Sequence, residues 1–138
     1  IPLTEYLKIN SSVYEASSLE LKYNIQPIVK IKSDPGDVIF LCLEALLAGH
    51  SVLVFCPTRS WCETCAQQIA TEFRRIGYEK SDIGLQVRAQ LDGNTISDVL
   101  EQLKRCPAGL DQALGRSVAF GVAFHHAGLT MDERDIVE

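Results

Sequence analysis

The chain has 138 residues, 46% of them apolar, and a formal net charge of −5. That length buries one ordinary core, so one domain is expected. No run of eighteen apolar residues offers a membrane-spanning helix, and the acidic balance argues against a nucleic-acid grip spread over the whole surface. A local basic strip stays possible: residues 1–80 carry eight Lys/Arg against nine Asp/Glu, and residues 81–138 five against nine. Any anion site must therefore be built from a few side chains and backbone amides. Five cysteines, an odd count among mostly apolar neighbours, fit a reducing compartment rather than a disulfide framework. Ile1-Pro2-Leu3-Thr4-Glu5 has neither a basic head nor an apolar signal core. With no initiator methionine and with Glu138 inside a helical pattern, the sequence reads as a fragment of a longer chain.

Leu3 to Ile9 alternates as a strand does, Asn10-Ser11-Ser12 makes a turn, and Val13-Tyr14-Glu15 and Leu19 to Ile28 continue in extended fashion. Residues 1–32 are expected to form a small β-rich lead-in. Asp34 is placed as an N-cap with Pro35 at the first helical position. Val38, Leu41, Cys42, Ala45 and Leu46 recur at helical spacing, and Gly49 closes the helix. Ser51 to Phe55 is a continuous apolar run, suited to a central parallel strand buried on both faces. Pro57-Thr58-Arg59-Ser60 breaks it, and Ser60 with Glu63 has capping-box spacing. Cys62, Ala66, Ile69, Ala70 and Phe73 form one apolar face of the next helix, which Gly77 is expected to end.

Residues 78–96, polar and broken by Gly84 and Gly93, read as a surface excursion. Ile96 to Leu103 is expected to be a helix capped by Thr95, and Leu110 to Leu114 one further helical turn. Pro107-Ala108-Gly109 separates them. Ser117 to Phe124 returns to strand and breaks at His125-His126-Ala127-Gly128. Thr130 and Glu133 then make a capping box that starts a helix at Met131. The order helix, strand, helix, connection, strand, helix predicts an α/β sheet with ligands gathering at the strand ends.

Two strand-to-helix turns thus carry unsatisfied N–H groups together with polar side chains. The first supplies Thr58, Arg59 and Ser60; the second supplies His125, His126, the Gly128 backbone and Arg134. On neighbouring strands, two such turns could hold successive phosphates of one polynucleotide without reading its sequence. Taken singly, each is explained as well by helix capping and solvated arginines. His126 could equally fix its own turn by hydrogen bonding to backbone.

Ser51-Val-Leu-Val-Phe-Cys-Pro-Thr-Arg-Ser-Trp-Cys-Glu63 and Gly121-Val-Ala-Phe-His-His-Ala-Gly-Leu-Thr-Met-Asp-Glu-Arg134 resemble motifs IV and IVa of superfamily-two helicases. Within that superfamily the pattern is closest to the theta-type branch, the helicase-like region of DNA polymerase theta, with the HELQ helicases as near relatives. Leu103 to Leu114 is similar too, and residues 78–94 are the least diagnostic.

The resemblance implies a partial domain with a RecA-like parallel sheet flanked by helices. Residues 1–138 would be part of the second RecA-like lobe, with 78–116 as a connection or insertion. It implies that Thr58, Arg59, Ser60, His126, Gly128 and Arg134 lie on the path of single-stranded or branched DNA. It further implies a first RecA-like lobe in the same chain, ATP and magnesium in the parent enzyme, and a nuclear role in genome repair. No Gly-x-x-x-x-Gly-Lys-Thr/Ser loop and no Asp-Glu-x-His run is present, so the chain alone is expected to hold neither cofactor nor to hydrolyse ATP. No catalytic residue and no metal ligand is assigned.

Two rival classes follow from the residues. Trp61-Cys62-Glu63-Thr64-Cys65 after an apolar strand has the thioredoxin arrangement, but Pro107 is not followed by the strand a redox enzyme needs. Cys62 and Cys65 are also only half of a zinc site. A non-catalytic protein-interaction module, using residues 78–94, is the third class.

Overall fold

The computed structural model describes residues 2–26, 31, 34–107 and 109–138. Pro27, Ile28, Ser33 and Ala108, each part of an element expected from the sequence, lie outside the described residues. The chain is mixed α/β and divides into two compact units, Ile1–Leu41 and Cys42–Glu138.

The first unit is built on three antiparallel strands in the order β1 (Tyr6–Ile9), β2 (Ser12–Glu15), β3 (Leu21–Asn24). Ile9 pairs with Ser12 across a tight turn in which Asn10 takes the left-handed conformation, φ 53°, that Asn tolerates. The register shifts between Val13 and Tyr14. Val13, Ile25 and Phe40 bury together as this unit's core. The β-rich lead-in is therefore present. A 3-10 turn over Pro35–Asp37 delays the first α-helix, α1 (Val38–Leu47), beyond the expected start at Pro35. Gly36 and Asp37 both have positive φ, which no α-helix accommodates. Asp34 nevertheless caps, its carboxylate accepting from the Ile39 and Phe40 N–H groups at 2.8 and 2.9 Å.

In the second unit α2 (Arg59–Tyr78), α3 (Asp82–Gln90), α4 (Gly93–Lys104), α5 (Gln112–Val118) and α6 (Met131–Val137) follow the end of α1. Ala66, Leu103, Leu114, Val118, Phe124 and Leu129 form its core. The expected apolar face of α2 is buried at Ala66, Ile69, Ala70 and Phe73, but Gly77 does not end it: the helix runs one residue further and Gly77 is buried within it.

The excursion at 78–96 contains a helix that the sequence pattern hid. Ser81 caps α3, and Gly84 lets it close against the end of α2, where an added Cβ would lie 2.4 Å from the Glu79 carbonyl oxygen. Tertiary packing here overrides a poor helical sequence. Asp92, not Thr95, caps α4, accepting from the Asn94 and Thr95 N–H groups. Asp111 caps α5, which runs through the first part of the strand expected over Ser117–Phe124.

The expected parallel sheet is not formed among the described residues. Among the described residues the antiparallel trio is the only sheet. Ser51 to Phe55 is not a ladder strand, and Leu53 and Phe55 are 86% and 93% exposed instead of buried. Val122 to Phe124 is likewise unpaired. A strand needs a neighbour to satisfy its backbone. These two stretches instead line one cavity of about 890 Å³ without pairing.

Candidate nucleic-acid interface

Pro57 follows the apolar run and Thr58 turns the chain into α2. Thr58 is extended (φ −139°, ψ 162°), and its Oγ1 accepts from the Trp61 N–H at 3.1 Å. The expected cap at Ser60 is thus displaced by two residues: Ser60 is the second residue of the helix and exposed. Arg59, at the first helical position, keeps the amide that no helix carbonyl can satisfy.

The second turn is held from within. Phe124 is buried and its ring stacks on that of His126, centroids 5.3 Å apart. The Gly128 N–H donates to His126 Nδ1 at 3.0 Å, and the Leu129 N–H donates to the His126 carbonyl. Thr130 and Glu133 form the expected reciprocal capping box, with Glu133 buried. Arg134 follows one turn into α6, its Nε buried and without a partner among the described residues.

The two turns meet. His126 Nε2 lies 2.7 Å from Glu63 Oε1, joining the second turn to α2. Nδ1 accepts from Gly128, so the bonds fit the neutral ring with its proton on Nε2, donated to the Glu63 carboxylate. Arg59 lies over Gly128, where an added Cβ would be 2.6 Å from the guanidinium carbon. Gly128 is needed for this close approach and not for its backbone, whose φ is outside the left-handed region. Cys62 Sγ sits 3.9 Å from the His125 carbonyl oxygen, while His125 itself turns outward to Glu138 at 2.8 Å.

Of the six residues expected on a DNA path, Thr58, Arg59 and His126 line the same cavity; Ser60, Gly128 and Arg134 do not. Glu63 was missed as a partner of the second turn. Its capping-box spacing pointed its carboxylate back along its own helix, and nothing local signals a bond to a residue 63 positions away.

The Arg59 side chain is exposed and forms no hydrogen bond or ion pair among the described residues, unlike that of Arg75, which is clasped by Glu72 and Glu79. It is an uncompensated cation beside a helix N-terminus, an arrangement that suits a phosphate.

Cys65 shows no such preparation. Burial, then the neighbouring Cys56 thiol, pushes Cys65 up to about 11, away from the thiolate a redox pair uses. No group of three metal-ligating side chains is present among the described residues.

No family model matches the chain. It is similar over its full length to DNA polymerase theta of Mus musculus, 43% identical over 143 residues. Full-length similarity also extends to Helicase POLQ-like of Homo sapiens, 34% identical over 148 residues. ATP-dependent DNA helicase Hel308 of Methanocella arvoryzae is 30% identical over 105 residues, 75% of this chain. The chain spans only 6%, 12% and 13% of these three proteins.

Proposed function

We propose that this chain, a relative of DNA polymerase theta and the Helicase POLQ-like proteins, is part of the second RecA-like lobe of an ATP-dependent DNA helicase that works on single-stranded or branched DNA in nuclear genome repair. Its own share is to hold the DNA backbone. Thr58, Arg59, Ser60, His126, Gly128 and Arg134 line the strand's path, and ATP and magnesium are held in the parent enzyme with the first RecA-like lobe. The observation that carries this is Arg59: exposed, unpaired among the described residues, and laid across the Gly128 turn so that two separate helix starts form one surface. In a RecA-like sheet Val52–Phe55 and Val122–Phe124 would be neighbouring parallel strands. Their apolar character and the cavity they share support that arrangement.

The test is binding of a fluorescent single-stranded oligonucleotide over a salt series. Arg59→Ala with Arg134→Ala weakens binding and lowers the salt slope by about 0.7 for each phosphate that is no longer neutralised. An unchanged slope removes both arginines from the path. Purified alone, the chain turns over no ATP; DNA-stimulated hydrolysis that co-purifies with it would overturn that part of the reading.

A further inference from the structure

Arg59 and Glu63 stand four residues apart on α2, the spacing at which opposite charges on a helix pair with each other. They do not pair. The Glu63 carboxylate is taken by His126 at 2.7 Å, and Arg59 is left over Gly128 with its charge uncompensated. His126 is well placed to win that competition. Its side chain is only 9% exposed, stacked on Phe124 and pinned through Nδ1 by the Gly128 N–H, so it loses little freedom in holding the carboxylate. Arg59 has a long exposed side chain and would lose far more.

From this geometry we infer that His126 is a positioning residue that sequesters Glu63, keeping Arg59 free for a phosphate of the bound strand. The inference rests on the proposed DNA-binding role, and it assigns roles within it. Both ring nitrogens of His126 are occupied, so His126 acts on the strand through Arg59, not by touching it. Glu63 is the hazard in the site: a carboxylate one turn from the phosphate-binding cation, and able to pair with it unless it is held. Gly128 has two parts, donating the N–H that pins the imidazole and leaving room for the guanidinium.

The experiment compares His126→Phe, Glu63→Gln and the double variant in the 138-residue chain, with phenylalanine retaining the stack on Phe124. Two readouts are taken: anisotropy of a labelled oligothymidine, and the nitrogen resonances of the Arg59 guanidinium and His126 ring. His126→Phe weakens oligothymidine binding several-fold and gives Arg59 the split Nη signals of a guanidinium held by a carboxylate. The double variant recovers the binding and loses the split, because a carboxamide no longer neutralises Arg59. In the unsubstituted chain the His126 proton resides on Nε2. A double variant that binds as weakly as His126→Phe reduces the histidine to a structural brace and overturns the inference. So does an Arg59 signal unaltered by His126→Phe, or a proton on Nδ1. If the unsubstituted chain binds no oligothymidine even at low salt, the DNA reading fails, and the Arg59 resonances still decide whether Glu63 is sequestered.

Discussion

His126 Nε2 and Glu63 Oε1 are 2.7 Å apart although 63 positions separate them in the chain. This bond turns two ordinary helix starts into one site. The exposed half of the pair limits its contribution to stability, since Glu63 keeps 46% of its side chain in solvent and such bonds contribute about 1 kcal/mol or less. Its consequence lies in what it does to the neighbouring charge, and four further predictions concern the same surroundings.

Gly128→Ala places a methyl 2.6 Å from the Arg59 guanidinium carbon, and the flexible arginine must move. The backbone at Gly128 is exposed and needs no left-handed φ, so stability changes by only about 0.5 kcal/mol. Oligonucleotide affinity falls while the melting temperature holds. A variant that binds as tightly as its parent would show that the packing of Arg59 over this turn is irrelevant to DNA.

Thr58→Ala removes the bond to the Trp61 N–H and costs about 1 kcal/mol in urea unfolding. Ser60→Ala, one position inside the helix and exposed, costs close to nothing. The opposite ranking would return the cap to Ser60.

Cys65 is raised by burial, so folding favours its protonated form. The raised value lies above that of the unfolded chain, so this contribution is complete below about pH 9. It is lost as pH climbs through about 11. Alkylation by iodoacetamide at pH 8.5 is correspondingly slower at Cys65 in the folded chain than in urea. Equal rates would contradict the burial of this thiol, and a faster rate in the folded chain would revive the disulfide-exchange reading.

Leu53 and Phe55 are large, apolar and exposed beside unpaired backbone, the features of an edge that recruits other chains. Leu53→Lys with Phe55→Lys reduces self-association of the isolated chain in sedimentation, with little effect on its unfolding midpoint. A large loss of stability would mean that these side chains are buried in solution.

Local chemistry was legible in part: the caps of α2 and α4 were misplaced, at Ser60 and Thr95, and the cap of α6 was not. Thr130 and Glu133 are three residues apart and satisfy each other, so their capping box could be read directly and is present. The apolar face of α2 is equally legible, because helical periodicity carries its own geometry. The similarity to DNA polymerase theta and the Helicase POLQ-like proteins was legible for a similar reason: motif residues stand close together along the chain.

What the sequence could not determine was anything that needs a distant neighbour. Val52–Phe55 has the composition of a buried strand, but a strand is defined by the backbone beside it, and among the described residues it has none. Ser81 to Gln90 reads as loop and folds as a helix because Val87 finds complete burial there. The candidate site shows the same division. Sequence alone placed Arg59, His126 and Gly128 on two turns; only the tertiary structure gave Glu63 to His126, and that bond decides which charge is left for a phosphate.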